Sequence, residues 1–351
     1  MSKFLTEILE QPESVITTLN YYMDDEGKQK LKYFSELAKK GNFQRIIFTG
    51  MGSSYFVSYA ASCFFNSLGF RSYAINASEL LHYHFPIINE MSVIVCISQS
   101  GESFEAVKLL EKIPKNILSI GISNEMNSSL TEKANEILLS KAGKEEMTTT
   151  KTYTSISLLI LMLGWNLANR WGKEKINQIL KLKSGIEELL AKRVELTSDI
   201  LNFLGKFEFI QFIGRGPTFS TALQSELMFK EAVKAAAAGS LGGEFRHGQM
   251  EMVNKGFKSI LFAAEGQTYN QSINMAMDIV KYQGKIVLIT NKKPELFEDK
   301  NMKLILIDQP DEYLFSIQSI IPIQLMVNSL ALINGLDPGE FIHCGKITLS
   351  E

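Results

Sequence analysis

A chain of 351 residues is longer than one α/β core usually grows, which favours two domains of about 150 residues each. Its 45% apolar and 21% charged residues supply ample core and show none of the bias of a disordered chain. A net charge of −2, with Lys and Arg spread along the sequence, leaves no electrostatic footprint for nucleic acid or an anionic membrane, so neither is expected as a partner.

The N-terminus, MSKFLTEILEQPESV, carries acidic residues and lacks the apolar stretch of a signal peptide; residues 1–34 are expected to form a helical arm. From 35 to 172, short Val/Ile/Leu-rich runs bounded by Gly, Ser and Asn alternate with segments of helical period such as SFEAVKLLEKI. That alternation predicts βαβ crossovers, a mainly parallel sheet and helices on both faces. The most apolar run, Ile156 to Trp165, is too short to span a bilayer and reads as a buried helix. Residues 173–204, rich in Lys, Glu and Leu, are expected as one connecting helix, the alternation resumes over 205–334, and 335–351 reads as an irregular tail. Cys63, Cys96 and Cys344 lie far apart, which suits buried thiols in a reducing compartment and hence the cytoplasm.

The two alternating stretches match each other. RIIFTGMGSSYF aligns with FIQFIGRGPTFS, setting Gly50 against Gly214 and Gly52 against Gly216; further on, Gly101 falls against Gly266 and Asn124 against Asn291. A nearly constant offset of about 165 residues marks an internal duplication, which fixes the architecture before any motif is interpreted. The expected fold is α/β, two doubly wound parallel-sheet sandwiches.

Two segments carry chemistry. SQSGES, Ser98 to Ser103, follows the strand VIVCI and opens a helix, where unpaired N–H groups and the helix dipole favour a phosphate; hydroxyls of Ser98, Ser100 and Ser103 add donors and Gly101 lets the backbone approach. The same pattern also serves an ordinary helix N-cap. Its counterpart, AAEGQT, has lost the hydroxyls and gained Glu265, whose charge would repel phosphate, so a single phosphate site in the first half is expected. The second segment runs from Phe229 to Gln249. Glu231 and His247 there supply a carboxylate base and a group titrating near neutrality, the two types needed to move a proton between sugar carbons and to open a ring. Taken singly, such residues are usually solvated surface groups. Thr148 to Thr152, with Lys151, could simply cap the helix that follows. His82, His84 and His343 have no metal-ligand spacing, and neither a metal nor another cofactor is expected.

Gly52-Ser53-Ser54, the SQSGES turn, the GEFRHG loop at Gly243 to Gly248 and the duplicated layout resemble the sugar-isomerase (SIS) family, with its flavodoxin-like domains, and in particular the isomerase half of glucosamine-6-phosphate synthase. The resemblance covers nearly the whole chain, from Glu10-Gln11-Pro12 onward. It implies a phosphosugar enzyme whose phosphate lies against Ser54, Ser98, Gln99, Ser100 and Ser103, with Ser53 and Thr149 on the sugar. It further implies Glu231 as the proton-shuttling base, His247 as the ring-opening acid/base, and Lys346 as the group that forms a Schiff base with an open-chain ketose or, failing that, polarises its carbonyl. In the family the histidine enters the neighbouring subunit's site, which implies a homodimer. Two departures, the lack of a glutaminase segment before the repeat and Met228 where the synthase carries a lysine, point from synthesis toward deamination, deglycation or aldose–ketose isomerisation. A sugar-phosphate sensor without turnover is the rival expectation; a nucleotide-binding protein would need a P-loop or a longer glycine fingerprint.

Overall fold

The computed structural model describes residues 1–40, 43–295, 299–343, 345 and 346. In chain order the arm forms α1 (Lys3–Leu9), α2 (Gln11–Met23) and α3 (Asp25–Lys40). The first repeat follows as β1 (Arg45–Gly50), α4 (Ser53–Ser67), β2 (Ser72–Asn76), α5 (Ala77–His82), β3 (Ser92–Ile97), α6 (Phe104–Lys112), β4 (Ser119–Ser123), α7 (Ser129–Lys133), β5 (Glu136–Leu139) and α8 (Lys151–Leu167). Next come α9 (Lys173–Ala191) and α10 (Arg193–Leu204). The second repeat is β6 (Phe209–Gly214), α11 (Thr218–Met228), a π-helical turn over Phe229–Val233, β7 (Ala236–Leu241), α12 (Gly242–Arg246), β8 (Lys258–Ala263), α13 (Tyr269–Lys281), β9 (Lys285–Thr290), β10 (Met302–Leu306), α14 (Glu312–Gln318) and α15 (Ile321–Ile333).

Each repeat builds one five-stranded, all-parallel sheet, in the orders β2-β1-β3-β4-β5 and β7-β6-β8-β9-β10. The duplication therefore holds strand for strand. β3 and β8 are buried at all six positions, as expected of strands covered by helices on both faces. Beneath β3, Ile47, Ile94 and Cys96 pack on Leu80, Leu109, Leu110 and Leu130. In the second repeat, Ile213, Leu261 and Leu288 pack on Phe245, Met275 and Ile279. Burial pushes the Cys96 thiol up to about 12, so it is an inert apolar filler.

The chain divides into two compact units, one of residues 10–180 and 341–351, the other of 1–9 and 181–340. The arm is thus shared: α1 packs on α15 in the second unit, whereas α2 and α3 pack on α8 in the first. One segment departs from the sequence expectations. The connecting segment is two helices meeting at Lys192 rather than one. Ala236–Leu241, although rich in the best helix former, is edge strand β7 because it pairs with β6 along its whole length, and α11 stops at Met228. Ile156 to Trp165 lies within α8 and is buried except at Ser157, as expected; α14 and α15 together form a second apolar helical stretch, mostly buried in the fold as suits core helices.

Candidate active site

In the first unit the crevice lies beyond the carboxyl ends of β1 and β3, where the strand order reverses. Gly50 is obligatory there: a Cβ on it would lie 2.7 Å from both the Ile97 carbonyl oxygen and the Ser54 Cβ, so the start of α4 and the end of β3 meet across it. Ser53 and Ser54 open α4 and are partly exposed. The serine turn is shaped by its own side chains. Ser98 Oγ accepts from Gly101 N at 3.1 Å and Ser100 Oγ from Glu102 N at 3.2 Å, while Ser103 Oγ donates to Glu105 Oε2 at 3.2 Å. Gly101 holds φ +70°, and a Cβ on it would lie 2.0 Å from Ser128 Oγ. Ser98 is buried, whereas Gln99, Ser100 and Ser103 are partly open at the mouth of the turn.

A polar brace connects this turn to the threonine loop. Asn124 N donates to Gln99 O at 3.0 Å, Asn124 Nδ2 to Gly143 O at 2.8 Å, and Asn124 Oδ1 accepts from Ala142 N at 2.9 Å. Helix α2 holds the same segment from the other side. Ser14, Thr18 and Tyr22, spaced four apart on one face, donate to the carbonyls of Ala142, Ser140 and Leu139 at 3.0, 2.5 and 3.0 Å. Gln11 accepts from Thr154 Oγ1 at 2.6 Å and Glu10 pairs with the buried Lys151. The Glu10-Gln11-Pro12 start of α2 thus anchors the threonine loop, and the polar stripe of Ser14, Thr18 and Tyr22 is its mark in the sequence.

Within that loop Glu145 is the other residue the sequence did not single out. Its side chain has no exposure, and its two oxygens accept from Thr150 N, Thr150 Oγ1, Thr152 N and Thr152 Oγ1 at 2.9, 3.2, 3.1 and 2.6 Å. Lys346, from the tail, donates to Glu145 O at 2.5 Å and approaches Oε2 at 3.3 Å. Thr149 and Lys346, expected to act on one sugar, therefore share this one carboxylate-centred loop. Cys344 lies outside the described residues.

Glu231 and His247 belong to the second unit. Glu231 sits in the π turn, which ends at Lys234 in the left-handed region at φ +57°. Such wide turns and positive-φ residues concentrate at functional positions. Lys234 Nζ donates to the Glu231 carbonyl and, at 2.7 Å, to the Glu340 carbonyl, joining the π turn to the start of the tail. Glu226, one turn earlier, accepts from Gly239 N of edge strand β7 at 2.9 Å and pairs with Lys230. His247 is exposed at the end of α12, its N–H donating to Glu244 O at 2.9 Å. Met228, at the last position of α11, is fully buried.

The second unit's own crevice, beyond β6 and β8, is built on the same brace, with Asn291 accepting from Glu265 N at 2.6 Å and donating to Gln309 O at 2.7 Å. Glu265 points to solvent and pairs with Lys292 at 2.7 Å. The carboxylate that fills the crevice is instead Glu312, after β10: a Cβ on Gly266 would lie 2.9 Å from its Oε2. Burial, and then Asp311, raise the Glu312 pKa. Burial, and then Arg246, lower that of Arg215, which lies against Gly242. Among the described residues no group of three His, Cys, Asp or Glu side chains gathers as a metal site.

The sheets, the duplicated brace and the glycine turns define a tandem α/β protein built from two copies of one doubly wound unit. The SIS domain profile matches residues 40–163 and 206–334, and the chain belongs to the SIS family. It is 28% identical over 357 residues to the glutamine–fructose-6-phosphate aminotransferase (isomerizing) of Methanothermobacter thermautotrophicus, a match covering 99% of this chain and 57% of the relative, so the chain spans little more than half of that protein. Its fold is similar to the C-terminal domain of glucosamine-fructose-6-phosphate aminotransferase from Francisella tularensis, with a TM-score of 0.85 at 24% identity, covering 96% of this chain and 98% of that one. It is also similar to a glucosamine-6-phosphate deaminase from Thermotoga maritima, with a TM-score of 0.71 at 21% identity and 99% of both chains covered.

Proposed function

We propose that this chain is a phosphosugar isomerase-type enzyme acting on an amino-sugar 6-phosphate or a fructosamine 6-phosphate. The observation that carries the reading is that the serine turn and Lys346 are tied, in one unit, to the same loop: Asn124 links Gln99 to Gly143, and Glu145 two residues on holds Lys346. The serine turn offers Ser100, Ser103 and the α6 N-terminus to a phosphoryl group, the start of α4 offers Ser54, and the threonine loop offers Thr149 to the sugar.

With an amino-sugar phosphate, His247 moves the proton that opens the ring. Glu231 then takes the C2 proton and returns it to C1, converting the C2 amine into an imine. Lys346, after giving up one proton, adds to C2 and displaces ammonia; water later adds to the lysine imine, freeing the lysine and leaving the ketose phosphate. With a fructosamine phosphate the proton runs from C1 to C2, and hydrolysis of the C1 imine releases the amine. The exposure of His247 supports a role completed in a second subunit of a homodimer, and the buried thiol Cys96 supports a reducing, cytoplasmic setting. Burial of Met228 supports deamination or deglycation over synthesis, because that position offers no cation.

The test is incubation with glucosamine 6-phosphate, fructosamine 6-phosphates and fructose 6-phosphate in D2O, following ammonia or amine release and C–H exchange by NMR. Turnover lost in Glu231→Gln is expected. Tight binding with no exchange or release, unchanged in Glu231→Gln, would mark a sugar-phosphate sensor and overturn the enzyme reading.

A further inference from the structure

We infer that Glu145 is a positioning residue that sets the amine of Lys346 over the threonine loop; the inference rests on the reading of Lys346 as the imine-forming group. A lysine near the end of a chain loses considerable rotamer entropy when held in place, and something must hold it for addition to a carbonyl to be efficient. Here the Nζ meets the backbone carbonyl and the carboxylate of one residue, and its side chain is only 18% exposed. The carboxylate itself is fully buried, and a buried charge persists only when paired and hydrogen-bonded. Lys346 supplies the cation; Thr150 and Thr152 supply four hydrogen bonds that leave the carboxylate no other orientation. The next residue, Glu146, is exposed and pairs with Lys144, so the two neighbouring carboxylates have separate tasks.

The division of labour between the two oxygens makes the inference testable. Oε1 accepts both threonine N–H groups, while Oε2 takes the Thr152 hydroxyl and faces Lys346. In Glu145→Gln the amide oxygen keeps the first set. The amide nitrogen can donate to the Thr152 hydroxyl, but it presents a donor to the lysine ammonium. The loop is retained and the lysine is turned away.

The experiment is reductive trapping with borohydride and fructose 6-phosphate, the adduct being located by peptide mass spectrometry, alongside calorimetry with inorganic phosphate and a thermal melt. The native chain is expected to carry the adduct on Lys346, Glu145→Gln to form it at least tenfold more slowly, and Glu145→Asp to fall between them. Phosphate affinity should stay within about twofold and KM should change little while kcat falls. Equal trapping in native and Glu145→Gln protein overturns the inference alone. Loss of phosphate binding together with trapping also overturns it, since Glu145 would then be a general support of the fold. Absence of an adduct in the native chain overturns the imine reading of Lys346 and this inference with it. Should Glu145→Gln show no cooperative melt, Glu145→Asp decides by the same comparison: trapping at the native rate overturns the inference.

Discussion

Replacing Gly101 by alanine tests the serine turn most directly. The residue holds φ +70°, and the added methyl would lie 2.0 Å from Ser128 Oγ and 2.5 Å from Ser128 Cβ. The left-handed conformation costs a non-glycine residue about 1–2 kcal/mol. Relieving the clash costs about 1–3 kcal/mol more, because Ser128 is buried and its hydroxyl is engaged with Thr131 Oγ1 at 3.2 Å. Together these predict a loss of about 2–5 kcal/mol and a melting point lower by roughly 10 °C for a unit of this size. Phosphate affinity should drop further than stability, since the turn can escape only by swinging away from the α6 N-terminus. Thermal melts and phosphate calorimetry on Gly101→Ala, and on Gly101→Ala combined with Ser128→Gly, separate the two components. The double variant should recover the packing loss and keep the conformational one. Native stability and affinity in Gly101→Ala would refute the claim that this backbone geometry makes the site.

Glu231→Gln should slow C–H exchange by about 10²–10⁴ while leaving phosphate affinity unchanged, checked by deuterium incorporation and calorimetry. Thr18→Val leaves the buried Ser140 carbonyl without its hydroxyl donor, so about 1–3 kcal/mol of stability should be lost, with faster hydrogen exchange across residues 139–142. Glu312→Gln should stabilise the chain at neutral pH. The folded carboxyl holds its proton more tightly than the unfolded one, so its contribution is present below the ordinary carboxylate range and fades as pH rises through the raised folded value. The gain over native in thermal melts should therefore vanish at the acid end, and a gain that grows toward acid would reverse the assignment.

Features that a single residue must satisfy were legible in the sequence. Gly50, Gly52 and Gly101 stand where no side chain fits or where φ is positive, and Asn124 is matched by Asn291 because each half uses that side chain to brace the turn beyond its central strand. Features set by long-range pairing were not. Ala236 to Leu241 carries no strand signal of its own, and only β6 makes it a strand. Glu145 and Glu146 look alike, and which is buried depends on a tail two hundred residues later. Glu265 was the visible acid beside Gly266, whereas Glu312 reaches that glycine from beyond β10. The polar stripe of α2 reads as an ordinary amphipathic pattern until the carbonyls of residues 139–142 are known to face it.

The π turn at Phe229–Val233 has a consequence for register. A turn of this kind contains one residue more than a regular helical turn, and each helical residue rotates the chain by about 100°. Shortening the segment by one position would let α11 run on as a regular helix and aim the side chain of residue 231 toward another face. The length of this stretch, as much as the identity of its glutamate, therefore sets the direction in which the side chain of residue 231 is presented.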